Sequence, residues 1–357
     1  MNRARIEGLG TALPAGSIDA ATTARLLPAL LGLDARESRG FAALVERSGV
    51  ESRRSVLMGP GGDVALFAAD APSPTTAVRM VAWREFAPPL ACQAASAALD
   101  DAQWRAQDVT DVVLVSCTGF AAPGIDLYLI EHLGLAPTVA RTHVGFMGCH
   151  GAINGLRAAR GLAAANPNAR VLLIAVELCS LHLGRGERPG QVVASALFSD
   201  GAAALAIRGA AGDGERGFAD IVATGSMHLP DSADLMGWDV GDHGFEMTLS
   251  PEVPARIEKH LRPWLEAWLA SEQLDLADIR GFAVHPGGVR ILDAVERGLG
   301  LAPADLKHSR ELLRNLGNLS SPTVLFLTEA LRRAGTAPPY LLLAFGPGLF
   351  AEAALLR

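Results

Sequence analysis

The chain has 357 residues, 50% of them hydrophobic, enough for a sizeable core in one large domain or two. With 31 basic and 38 acidic residues the formal charge is −7, which speaks against an extended nucleic-acid surface, and no apolar run reaches the ~18 residues a membrane-spanning helix needs. Four cysteines (Cys92, Cys117, Cys149 and Cys179) have no CxxC spacing and read as free thiols, with neither disulfides nor a metal site expected.

In chain order, the opening MNRARIEGLGTALPAG meets glycine and proline too early for the apolar core of a secretion signal, so a cytoplasmic location is expected. The stretches MGPGGD (58–63) and APSPTT (71–76) read as loop excursions, not domain linkers, and Cys92 falls in a helical pattern. DVVLVSC (111–117), ARVLLIAVE (169–177) and YLLLAFG (340–346) are short apolar, β-branched runs of the kind that form buried strands. The stretches AINGLRAARGLAAA, VPARIEKHLRPWLEAWLASE and SPTVLFLTEALRRAG have helical spacing, so the fold class is α/β, with helices covering buried sheets. A unit recurs: a glycine-bounded polar turn at Cys149 leads into a helix and the strand ending at Glu177, and the turn NLGNLSSP leads into a helix and the strand YLLLAFGPG. Two similar halves would bring the ends of TDVVLVSCTGF and IRGFAVHPGG together, and with them Cys149, His285 and Asn318.

Each of these three residues has an ordinary reading beside a chemical one. Cys149, in VGFMGCHGAINGLRAAR, stands where small residues give way to a helix, whose free N–H groups favour a thiolate; a buried structural thiol fits the same stretch. His285, in FAVHPGG, ends a strand and is held by the following proline, and also fits a loop histidine. Asn318 before two serines is an ordinary turn and cap residue. Together the set can take up an acyl group on sulfur and donate two hydrogen bonds to a carbonyl oxygen gaining charge. That chemistry suits decarboxylative carbon–carbon bond formation. His150, although adjacent to Cys149, is expected to turn away as the helix begins.

GFMGCHGAINGLR, FAVHPGGVRIL, LGNLSSPTVLF and AFGPGLFAEAALL, with LFSDGAAALAI and MHLPDS between them, closely resemble the type III polyketide synthases, the chalcone-synthase-like branch of the thiolase superfamily. The resemblance implies a five-layered αβαβα fold of two similar halves, residues 1–208 with the nucleophilic cysteine and 209–357 with the histidine and asparagine. It further implies a homodimer acting on acyl-CoA and malonyl-CoA without a metal, a cofactor or an acyl carrier protein. By the same resemblance Cys149 takes the starter acyl group, and His285 with Asn318 binds the thioester carbonyl. Thr118, Ala122, Cys179, His182, Trp238, Met247 and Ser320 line the cavity, as does the loop Gly346, Pro347 and Gly348. The gate residue is Ala219 or, one position off, Phe218, and Arg47, Arg53 and Arg54 contact coenzyme A, the last two being inseparable by sequence. Slim residues at Thr118, Ala122 and Cys179 resemble bacterial members that accept long fatty acyl starters and make alkylpyrones or alkylresorcinols, unless Thr118 and Ala122 simply pack a dimer interface. Competing expectations are a small-product synthase using malonyl-CoA alone, an initiating β-ketoacyl-acyl carrier protein synthase, and a non-catalytic acyl-binding subunit.

Overall fold

A computed structural model describes residues 3–59, 64–67, 72–184, 189–210 and 217–357; residues 60–63 of the first predicted loop and Ala71 of the second lie outside these. Among the described residues nine strands are hydrogen-bonded in one continuous order whose two halves, the two sheet layers, meet at the junction of Arg3–Ala12 with Ala219–His228, paired antiparallel at Arg5↔Asp220 and Ile6↔Ala219. Outward from that junction the same succession runs in both directions. Arg3–Ala12 pairs antiparallel with Asp200–Ala210, which pairs antiparallel with Arg170–Leu178, which pairs parallel with Asp111–Ser116. On the other side Ala219–His228 pairs antiparallel with Phe350–Leu356, then Tyr340–Gly346 follows antiparallel and Gly281–Val284 parallel. The first half adds one more parallel strand, Ala140–Gly145, at the open edge.

Strands buried on both faces need apolar residues at odd and even positions alike, which is why they read as continuous runs. In Asp111–Ser116, Val113 and Val115 face the central layer, where helices Gly151–Ala165 and Thr323–Arg333 lie between the two halves. Val112 and Leu114 face the opposite way, onto the outer helix Thr76–Ala102. The second half buries Leu341, Leu343, Ala353 and Leu355 under helices Val253–Ser271 and Val289–Leu299. Helix, sheet, helix, sheet, helix is the five-layered thiolase-like order. The alanine-rich face of Thr76–Ala102 packs at backbone contact: a Cβ on Gly8 or Gly10 would overlap the carbonyl oxygen of Ala98 or Ala94.

The predicted strands and helices lie within a few residues of the observed ones, and Tyr340–Gly346 coincides with its prediction. Helices Val289–Leu299 and Lys307–Leu316 were not anticipated.

Candidate active site

Strands Asp111–Ser116 and Ala140–Gly145 run parallel and end level, with Ser116 opposite Gly145. The chain then turns sharply through Phe146 (φ +56°) and Gly148 (φ +73°) into a short 3-10 turn, Gly148–His150, which feeds the helix Gly151–Ala165. Gly148 is required twice over, because its φ is left-handed and a Cβ there would overlap Pro347. Cys149 therefore sits at the mouth of a helix, half-buried, with its sulfur in a cavity. Burial nevertheless outweighs the helix end: it pushes the thiol up to about 12, the Glu177 carboxylate adds to this, and the nearby Ser320 hydroxyl and Asn318 amide oppose it.

Asn318 is fixed on every side. Its N–H donates to Leu197 O (2.9 Å) and its carbonyl oxygen accepts from Ser199 N (2.8 Å). Its Oδ1 accepts from Ser320 N at 2.8 Å, so the amide group left for the Cys149 thiol is the NH2 donor. His285 follows Gly281–Val284, and its N–H donates to Leu343 O (2.8 Å). Its ring is 1% exposed and neither ring nitrogen has a protein partner. Burial, reinforced by His150, pushes it down to about 3, so it is a neutral imidazole across the physiological range.

The cavity beside Cys149 has a volume of about 30 Å3 and brings together the expected Thr118, Cys179, Trp238, Met247, Ser320 and Pro347. Cys117, Met236 and Phe198 line it as well, which sequence reasoning missed. Cys179, Phe198 and Trp238 are also walls of a second cavity, with a volume of about 50 Å3, where His182 lies. Trp238 is pinned by Nε1 donating to Cys117 O (2.7 Å) and stands edge-on to His182, ring centres 5.6 Å apart. His182 stacks on Phe245 at 4.1 Å, and burial pushes it down to about 3.

Beneath the cavity lies a carboxylate the sequence reading did not weigh. Glu177 is fully buried and accepts from Cys117 N (3.0 Å), Thr118 Oγ1 (2.7 Å) and Ser321 Oγ (2.5 Å). Burial pushes it up and these bonds push it down, with burial ahead. Its signal was present, as a charged residue ending a run of eight others that are almost all apolar, ARVLLIAVE.

Several expectations are corrected. Ala219 is no gate: it pairs with Ile6 in the central core and is 1% exposed, and Phe218 lies under the Arg332 guanidinium, 4.7 Å from ring centre to Cζ, at a surface pocket elsewhere. Arg53 is not the surface cation expected: it is buried and donates to Ser195 O (2.7 Å), Phe198 O (3.0 Å) and Thr23 Oγ1 (3.0 Å), so its guanidinium is engaged internally where it lines the second cavity. Arg54 is half-buried on the wall of the second cavity, and Arg47 is exposed at the end of helix Ala35–Arg47. Ala122 is exposed and borders neither cavity in the single chain. Of the loop 346–348 only Pro347 reaches the cavity; Gly346 backs onto His150, and Gly348 (φ +73°) makes the turn. His150 turns inward: it is 2% exposed and bonded through Nδ1 to Asn154 Oδ1 (2.7 Å). Among the described residues, no group of histidines, cysteines and carboxylates could hold a metal ion.

Residues 3–212 match the family model of the N-terminal domain of chalcone and stilbene synthases, and residues 220–357 match that of the C-terminal domain. The chain belongs to the type III polyketide synthases. As such it is an acyltransferase. The synthase is 38% identical over 280 residues to 1,3,6,8-tetrahydroxynaphthalene synthase of Streptomyces peucetius subsp. caesius, covering 77% of this chain and 74% of that one. It is 31% identical to an alpha-pyrone synthesis polyketide synthase-like protein of Mycobacterium tuberculosis, over 98% of this chain and 90% of the relative. The solved structure of PKS-I from the brown alga Ectocarpus siliculosus superposes on the synthase with a TM-score of 0.94 at 28% identity, covering 100% of this chain and 98% of the other.

Proposed function

We propose that the synthase condenses a fatty acyl-CoA starter with malonyl-CoA units, and releases the chain as an alkylpyrone or alkylresorcinol. Cys149 attacks the starter thioester and carries the acyl group. His285 and Asn318 bind the carbonyl of malonyl-CoA, stabilise the enolate left when carbon dioxide departs, and so direct that carbon to the acyl-Cys149 thioester. The observation that carries this reading is Asn318: with its oxygen committed to Ser320 N, its NH2 is the group left to act on the Cys149 side, as an oxyanion donor requires. A neutral His285 is the right partner, since it can accept the thiol proton and then donate to a developing oxyanion. The test is carbon dioxide release from malonyl-CoA without starter. Asn318→Ala should lower the rate by about 10²–10³, and a rate within threefold of wild type removes Asn318 from this role.

The long-chain starter is supported by the position of the second cavity, which shares Cys179, Phe198 and Trp238 with the first and continues the space beyond them; at about 50 Å3 it has to widen to take an alkyl tail. The reading that favours a small aromatic product rests on Trp238, whose hydrogen bond to Cys117 O closes that passage, and on the likeness to a tetrahydroxynaphthalene synthase. Ala140–Gly145 is an exposed edge strand flanked by the exposed Phe120, Phe146 and Met147. An uncovered edge of this kind invites pairing, which supports a homodimer through this face, with Ala122 nearby. Among the described residues no helix is long and apolar enough to cross a membrane. A cytoplasmic enzyme whose halves, 1–208 and 209–357, contribute the cysteine and the two donors respectively completes the proposal.

A further inference from the structure

Three ring nitrogens buried at this site have no protein partner: both of His285 and Nε2 of His150. For His150 the hydrogen position follows from its other side. Nδ1 lies 2.7 Å from Asn154 Oδ1, an amide oxygen can only accept, and so Nδ1 carries the hydrogen and Nε2 is a bare acceptor. The ring has little room to turn, because it lies against the backbone of Gly346, where an added Cβ would overlap it. Gly346 ends the strand whose Leu343 O holds the His285 amide, so both histidines are anchored to one strand, and a charge on His150 acts on His285. The other charged groups that act on His150 are Arg157, on its own helix, and Glu352, on strand Phe350–Leu356, which are paired to each other. A buried, oriented acceptor left bare next to a buried imidazole costs free energy unless it is used.

We propose that His150 is a positioning residue: its bare Nε2 accepts, through one water, the N–H of His285 that faces away from the substrate, leaving the other nitrogen of His285 as a lone pair toward the reacting atoms. This rests on the assignment of His285 to Cys149 and the thioester carbonyl made above. When Cys149 attacks, its S–H bond breaks and the proton forms an N–H bond on that lone pair. The resulting imidazolium then donates one N–H to the oxyanion and the other, through the water, to His150, whose own Nδ1–H stays on Asn154. No proton leaves the chain of three, and a thiol that burial holds protonated gains a route to thiolate.

The test is the rate at which iodoacetamide alkylates Cys149 in the intact protein, followed against pH, because a merely structural role would leave this profile in place. His150→Phe keeps a flat ring but has no acceptor, and should shift the rising limb about one pH unit toward alkali, about tenfold slower at fixed pH. His150→Gln offers an amide oxygen in place of the nitrogen and should restore most of the loss. Asn154→Asp places a carboxylate on His150 Nδ1, which strengthens the chain and should shift the limb toward acid, whereas its charge acting directly on the thiol would shift it toward alkali. An unmoved profile in His150→Phe, or an alkaline shift in Asn154→Asp, overturns the proposal. Should His150→Phe not fold by circular dichroism, the sign in Asn154→Asp decides alone. His285→Ala separates the two levels: if it leaves the profile unmoved, the underlying role of His285 fails, and if it moves the profile while His150→Phe does not, only the role of His150 fails.

Discussion

Replacing Glu177 by glutamine changes one atom under the cavity and should move two properties in opposite directions. Both carboxylate oxygens now accept: Oε1 from Ser321 Oγ (2.5 Å) and Cys117 Sγ (3.2 Å), Oε2 from Thr118 Oγ1 (2.7 Å), with Cys117 N between them at 3.1 and 3.0 Å. In the amide one oxygen becomes an NH2 donor. Hydroxyls can rotate to meet it, but the backbone N–H of Cys117 cannot reverse its role, so a buried charge-assisted bond is weakened at about 1–3 kcal/mol. Urea unfolding should report that loss. At the same time the charge that helps hold the Cys149 thiol protonated is gone, so the thiol's affinity for its proton falls. Alkylation of Cys149 by iodoacetamide at pH 8 should then be faster than in wild type, by tenfold for each pH unit the thiol drops. A variant that is destabilised and alkylated at the wild-type rate or more slowly would refute the electrostatic reasoning.

Asp200 offers a pH test. Burial pushes its carboxyl from 3.8 up to about 6, against bonds from Ser180 and Val56 N. Because the folded value is raised, the stabilisation is present below the unfolded value and lost as pH rises through the folded one; at about 1.4 kcal/mol per pH unit this is worth about 3 kcal/mol. The stability of wild type relative to Asp200→Asn should therefore fall by about that amount between pH 3.5 and 7, and a constant difference would contradict it. Arg53→Ala leaves the buried carbonyls of Ser195 and Phe198 without a donor and should cost at least about 2 kcal/mol in stability. A raised KM for malonyl-CoA at unchanged stability would instead return Arg53 to coenzyme A. Trp238→Ala removes the wall between the two cavities and should increase kcat/KM for long relative to short acyl-CoA starters, whereas an unchanged ratio would mean the second cavity is not used.

The strands and the α/β class were legible because double burial forces continuous apolar runs, as in ARVLLIAVE and YLLLAFG, and the repeated turn, helix and strand unit follows the symmetry of the sheet, whereas the five-layered order was implied by the family resemblance alone. Cys149 stood out through the glycines around it, of which Gly148 answers to Pro347 and Gly151 to Val115. What failed depended on tertiary partners. Residues 218 and 219 sit where the two halves join, paired to Arg3–Ala12, and nothing local distinguishes that strand from one lining a cavity. Phe198, which does line it, ends the helix Pro189–Leu197 just before a strand, in the already noted LFSDGAAALAI. Arg53 looked like a surface cation because the three acceptors that bury it come from positions 23, 195 and 198. His150 was expected to turn away as the helix begins; it is buried instead, against Gly346 from the far half, a neighbour that nothing local announces.

The central claim is tested most directly by incubating the purified protein with malonyl-CoA and a panel of acyl-CoA starters from acetyl to stearoyl, with products and the Cys149 peptide read by mass spectrometry. The account predicts an acyl adduct on Cys149 and tri- or tetraketide pyrones or resorcinols whose masses follow the starter, with long chains preferred. Products formed from malonyl-CoA alone, whatever starter is present, would contradict it.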